Sequence, residues 1–192
     1  MIDQSLINAC LENNAAAQRE LYNRCSGLFF GICYRYAIHK EDAEDMLQES
    51  FIRIFTQLHN FENRGNFEGW MRKIVVNACI NYLTKNRKFL DHINLDLIHN
   101  LEFKEESISS KLLGKQVMEC LLQMPIGFRT VINLYAIEGF NHKEIGDMLE
   151  ISESTSRSQY IRGKQFLESI LLERKLIPET ITTAEWLALL NG

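Results

Sequence analysis

An all-α protein of two small helical domains joined by a linker, the second a helix-turn-helix, is the fold that the sequence predicts. Three observations predict it. Apolar residues recur at three- and four-residue steps over most of the chain, the period of a helix with one buried face. Only two prolines, Pro125 and Pro178, stand in 192 residues, so little stops a helix from extending. No stretch keeps the alternation of a half-buried strand, and no internal repeat is visible.

The first domain spans residues 1–88. In AAAQRELYNRCSGLFFGICYRYA, residues Leu21, Cys25, Leu28, Ile32 and Tyr36 fall on one stripe. In EDAEDMLQESFIRIFTQLHNF the stripe is Ala43, Met46, Leu47, Ile54 and Leu58, and acids fill the first turn, where the helix dipole favours them. The turn NRGN follows. NFEGWMRKIVVNACINYLTKNRK then turns Trp70, Ile74, Ala78 and Leu83 inward. Residues 89–110 mix isolated leucines with acids and read as a linker. The second domain, 111–175, holds KLLGKQVMECLLQM, a break at Pro125, GFRTVINLYAIEG, and a pair of helices from His142 onward. A tail, 176–192, carries a short amphipathic segment around Trp186.

Composition narrows the function. At 46% hydrophobic and 24% charged residues the chain reads as soluble and globular. No apolar run approaches the roughly 18 residues of a membrane span, and the N-terminus lacks the pattern of a signal peptide. The five cysteines are scattered and include no C-x-x-C pair, so buried or idle thiols in a reducing cytoplasm are expected. Five histidines show no metal spacing, and no phosphate loop, H-E-x-x-H or Ser/His/Asp set appears, so no enzyme, metal or cofactor is expected. His142 is expected on the surface at a helix start.

Net charge is −4, yet its distribution is uneven. Residues 61–90 hold 6 basic and 2 acidic groups, and after Glu153 the stretch to Leu167 holds Arg157, Arg162 and Lys164 with no acid. Two local basic zones in an acidic chain point to nucleic acid. The second zone has the right frame for it. His142 to Leu149 makes a short helix with Ile145, Met148 and Leu149 inward, Glu150-Ile151-Ser152 a turn, and Ser152 caps a longer helix. There Ser156, Tyr160, Gly163 and Leu167 share the inner face. Arginine can fork onto guanine or pair with phosphate, and serines such as Ser154 and Ser158 can reach phosphates.

MPIGFRTVINLYAIEGFNHKEIGDMLEISESTSRSQYIRGKQFL resembles region four of the extracytoplasmic-function (ECF) sigma factors of bacterial RNA polymerase. Met124-Pro125, Val131 to Ile137, Gly139-Phe140, Glu144-Ile145 and Ser152 to Lys164 carry the likeness. It implies binding to the promoter's minus-thirty-five element through Ser154, Arg157, Ser158, Arg162 and Lys164. Three positions depart from the family: Glu150 and Ser154, where glycine is frequent, and Gln159, where arginine is. A non-glycine residue in a left-handed turn at Glu150 costs roughly 1 kcal/mol.

DAEDMLQESFIRIFTQLHNF resembles the region-two helix that docks on the largest polymerase subunit, through Asp45, Met46, Leu47, Gln48, Glu49 and Phe51. NFEGWMRKIVVNACINYLTKNRK resembles the segment that melts and reads the minus-ten element, with Trp70 largely a packing anchor. The likeness implies DNA contacts from Arg72, Lys73, Asn77, Asn81 and Lys85, and from Asn63 and Arg64 in a loop that holds a flipped-out base. It covers 14–88 and 111–172, about seven-tenths of the chain. It also implies core RNA polymerase, promoter DNA and an anti-sigma factor as partners. A helix-turn-helix regulator that binds duplex DNA without polymerase is the alternative; it needs neither the Asp45 to Phe51 helix nor the Asn77/Asn81 pair.

Overall fold

The computed structural model describes residues 2–62, 65–86 and 110–176, and for 110–115 the backbone alone. All regular structure among the described residues is helical. The chain divides into two units, Met1–Arg87 and Lys88–Gly192. Asn63 and Arg64, nearly all of the expected linker, and all but Leu176 of the expected tail lie outside the described residues.

The first unit holds α1 (Gln4–Leu11), α2 (Ala15–Tyr36), α3 (Lys40–Gln57) and α4 (Phe67–Lys85). Side chains fix where the helices start. Asp3 accepts from the Leu6 amide at 2.8 Å, and Asn14 accepts from Ala16 and Ala17 at 3.0 and 3.1 Å. Each supplies an acceptor that the first turn lacks. Helices α2, α3 and α4 pack on one another around Leu21, Phe29, Met46, Ile54, Met71 and Cys79. The expected stripe of α2 needs one correction. Leu28 is 51% exposed, and Phe29 takes the inward place, because the step from Cys25 is four residues, not three. Phe29 then meets Phe51 of α3, ring centres 5.9 Å apart. Asp42 ties the unit across its helices: it accepts from the His39 amide at 3.0 Å and from the Tyr82 hydroxyl at 2.5 Å. Burial, and then that bond, push the Tyr82 phenol well above its usual range.

The second unit holds α5 (Ser110–Leu122), α6 (Ile126–Ile132), a π-helical turn (Asn133–Ile137), α7 (His142–Leu149) and α8 (Glu153–Glu173). Pro125 breaks α5 from α6 as expected and stands at the cap of α6. The apolar segment after it is not one regular helix. It widens at Asn133–Ile137, where Glu138 donates five residues back to Asn133 at 2.9 Å, and it ends at Gly139 with φ 79°. The core is Val117, Cys120, Leu121, Met124, Ile132, Leu167, Ile170 and Leu171. Arg129 is buried beside it and donates to the Leu122 carbonyl at 3.4 Å. Gly163 lets α8 lie close on α6: a Cβ there would stand 3.0 Å from Phe128 Cβ and 3.1 Å from Ile132 Cδ1. Past α8, Lys175 takes a left-handed conformation (φ 56°), and Leu176 folds back onto the core.

All five cysteines are buried and none is in a disulfide. Burial raises the thiols of Cys10, Cys25 and Cys120, the opposite of what a reactive thiolate needs. No described helix is long and apolar enough to cross a membrane.

Candidate nucleic-acid interface

On α3 the acidic and amide side chains divide from the apolar ones. Asp45, Gln48 and Glu49 are exposed, on one face at three- and four-residue spacing. Glu49 accepts from Arg53 Nε at 2.7 Å. Met46 and Leu47, expected with them in a partner contact, are 1% and 6% exposed. That expectation is corrected: they pack inside the unit, and their part is to hold α3 at a fixed rotation. Phe51 is buried likewise, against Tyr22 and Phe29. Ile52 has no sequence signal that sets it apart from the buried apolar positions of α3. It is 59% exposed on the face of Asp45, Gln48 and Glu49, and only its rotation around α3 reveals that.

On α4 the four-residue spacing of Asn77 and Asn81 extends in both directions. Lys73, Asn77, Asn81 and Lys85 are all exposed and follow one another at steps of four. At about 1.5 Å per residue they form a stripe about 18 Å long, cationic at both ends and amide-bearing between. Such a stripe can neutralise phosphates with its ends and hydrogen-bond to base edges with its middle. Arg72 is half-buried beside it. Asn66 starts the helix by accepting from the Glu68 amide at 2.9 Å, and Gly65 before it has φ 94°, where L side chains are strained. Trp70 is half-buried rather than core. It stacks on Phe67 at 5.7 Å and leans on Phe61 at 5.5 Å, so three rings gather at the start of α4.

The second unit builds a helix-turn-helix from α7 and α8. Asn141 caps α7, accepting from Lys143 and Glu144 amides at 3.0 Å, while Glu144 accepts from the Asn141 amide at 2.8 Å. Glu150 ends α7 in the left-handed conformation, φ 55°, as the turn requires, at the cost expected for a residue with a Cβ. Gly146 faces this turn, and a Cβ there would lie 2.8 Å from the Ile151 carbonyl oxygen. Ser152 caps α8, accepting from the Thr155 amide at 3.0 Å. Ser156, Gly163 and Leu167 are buried, with Tyr160 half-buried beside them. Ser154, Arg157, Ser158 and Arg162 are exposed and Lys164 is half-buried. Arg157 pairs with Glu153 one turn back, both side chains in solvent.

His142 is not on the surface as expected. It is buried, with Nδ1 2.9 Å from the Ser156 hydroxyl, its ring stacked on Tyr135 at 4.3 Å and edged by Tyr160 at 5.7 Å. The π-helical turn presents Tyr135 to it. His142 thus joins α7 to α8 and to the element before them. Burial first, and then nearby Arg157, lower its pKa from the ordinary 6.5, against an opposing pull from Glu153. Below about pH 6.5 the unfolded chain therefore binds the extra proton first, and stability falls as pH drops toward the lower folded value. Thermal unfolding at pH 7.5 and 5.5 should show that loss for the wild type. For His142→Gln the loss should be smaller.

Among the described residues no group of His, Cys, Asp and Glu is placed to hold a metal. Residues 21–89 match the family model of sigma-70 region 2, and residues 114–167 that of sigma-70 region 4. The chain is 26% identical over 180 residues to the ECF RNA polymerase sigma-E factor of Haemophilus influenzae, covering 88% of this chain and 95% of the relative. It is 30% identical over 156 residues to the ECF RNA polymerase sigma factor SigE of Mycolicibacterium smegmatis, covering 79% and 60%. In fold it is similar to the sigma factor RpoE of Bartonella quintana, solved in complex with the anti-sigma factor NepR. The TM-score is 0.53 at 17% identity, covering 80% of this chain and 95% of that one.

Proposed function

The chain belongs to the ECF group of the sigma-70 family, and we infer from that membership that it directs core RNA polymerase to promoters and initiates transcription. One observation carries the reading. Both promoter-reading regions of the family lie in order on this chain, and each presents an exposed polar face on a buried apolar frame. The region-two match goes against a duplex-binding regulator that works without polymerase. The chain acts in the cytoplasm, where polymerase is, and catalyses nothing itself. An anti-sigma factor holds it when it is idle. Run-off transcription with core polymerase, from duplexes selected out of a random library, tests the reading. No selected promoter and no transcript would overturn it.

Within this function, Asp45, Gln48 and Glu49 dock on the polymerase, and the stripe from Lys73 to Lys85, with Arg72, Asn63 and Arg64, takes the melted strand. Ser154, Arg157, Ser158, Arg162 and Lys164 take the upstream element. The exposure of the described members supports these roles, Arg72 and Lys164 being half-buried and the others exposed. Gln48→Ala with Glu49→Ala should weaken co-purification with core polymerase about tenfold or more, the loss when at least one of the two is a hot spot costing about 2 kcal/mol. Helix content should not change, because neither side chain is buried. Asn77→Ala with Asn81→Ala should reduce permanganate reactivity of the melted segment severalfold while closed-complex affinity stays within about twofold. Equal losses in both assays would make them backbone contacts only.

A further inference from the structure

The recognition helix α8 carries three exposed large hydrophobic side chains, Ile161, Phe166 and Leu172, and Ile161 is the one that stands beside Arg157 and Ser158. Ile161 is 58% exposed, the most exposed of the large hydrophobic side chains among the described residues of the second unit. A lone apolar residue on a surface is ordinary. The place of this one is not. At about 100° per residue it projects between Arg157 and Ser158, about 40° from the first and 60° from the second. Ser154 and Gln165 continue the same face, both exposed, and the buried Ser156, Gly163 and Leu167 lie on the other side. An isoleucine on a helix is also held to one main rotamer, so it presents a fixed shape at little further entropic cost.

We propose that Ile161 is a specificity-determining contact of this chain, packing against the C5-methyl group of a thymine in the major groove of the upstream element. The inference rests on the reading of the second unit as the one that meets duplex DNA. In the major groove a base pair offers donors, acceptors and one apolar group, the thymine methyl. The charged and hydroxyl side chains around Ile161 serve the polar groups and the phosphates. Ile161 is the side chain on that face whose partner must be apolar. It adds to sequence choice without adding charge, which suits an acidic chain that borrows affinity from polymerase.

Deoxyuridine tests this, since it keeps every hydrogen-bonding group of thymine and lacks only the methyl. Duplexes selected from a library randomised in the upstream element by the reconstituted holoenzyme are resynthesised with each thymine replaced in turn. Wild-type holoenzyme should lose about fourfold in affinity at one thymine, the loss for one methyl-sized group left unburied. Ile161→Ala should bind the thymine and deoxyuridine duplexes alike, while Ile161→Val keeps part of the difference. Arg162→Ala, weaker on every duplex, should keep the full difference. Circular dichroism melts confirm that each variant is folded. A wild type indifferent to every replacement, or an Ile161→Ala that keeps the penalty, overturns the proposal and leaves the sigma reading intact. Failure to select any common upstream sequence overturns both.

Discussion

Gly146→Ala will lower the melting temperature of the second unit by about 10 °C and leave the first unit's transition where it was. The added Cβ would stand 2.8 Å from the Ile151 carbonyl oxygen and 3.4 Å from the Glu153 amide nitrogen. Neither is the end of a flexible side chain; both belong to the backbone of the turn. Overpacking costs about 1–3 kcal/mol, and the gain in helix propensity returns up to about 1. A net loss of about 1–2 kcal/mol shifts a unit of this size by about 4–16 °C, the middle of which is the shift expected. The same substitution at Gly27 is the control, because a Cβ there meets nothing within 4 Å, and it should be neutral or stabilising. Calorimetry of the whole chain reads both transitions. An unshifted second transition would show that the turn yields easily, and the tight α7–α8 junction would lose its explanation. DNA binding by the folded fraction should fall too, since the Ser152 cap and Arg157 follow the turn directly.

The second large effect concerns Arg157. Arg157→Ala should cost about 1–3 kcal/mol on the preferred upstream element, roughly tenfold or more, and relax choice at one position. Arg157 lies in the first turns of α8, the part of a recognition helix that reaches deepest. Its pairing with Glu153 does not stand in the way. An exposed pair one turn apart contributes about 0.3–0.5 kcal/mol, well below a desolvated contact to a base. Arg162→Ala and Lys164→Ala should instead weaken all duplexes alike and lower the salt slope by about one each. Holoenzyme binding to a panel of upstream variants across salt concentrations separates the two patterns. A uniform loss for Arg157→Ala would reassign it to phosphate.

Much of this was legible in the sequence because it depends on periodicity and on local chemistry. Ala43, Met46, Leu47, Ile54 and Leu58 are all buried, as their spacing says. The Ser152 cap and the inner face of Ser156, Gly163 and Leu167 follow from residue types a few positions apart, whereas the left-handed Glu150 is implied by the family resemblance, in which glycine is frequent there. What was not legible depends on neighbours distant in sequence or on small rotations. Met46 and Leu47 share a motif with Gln48 and Glu49, yet a helix turns about 100° per residue, so one motif serves two faces. His142 reads as a surface residue at a helix start. It is buried only because the π-helical turn presents Tyr135 and α8 brings Ser156 and Tyr160. A π-helical turn has no clear signature in NLYAI. Ile52 and Ile161 look like core residues in a list of apolar positions, and only their rotation places them outside.

Gly163 has a mechanical meaning. Because α8 rests on α6 there without a spacer, the contact acts as a fulcrum under a rod of 21 residues, about 31 Å long. Arg157 sits six residues from that point, about 9 Å toward the N-terminal end. A shim of a few tenths of an ångström beneath Gly163 would tilt the rod, and the tip would move by a comparable distance across the groove. The alignment of the reading head is therefore set from behind, by a residue that never meets a base. Promoter preference in this chain can drift through changes in the bearing as well as through changes in the face that reads.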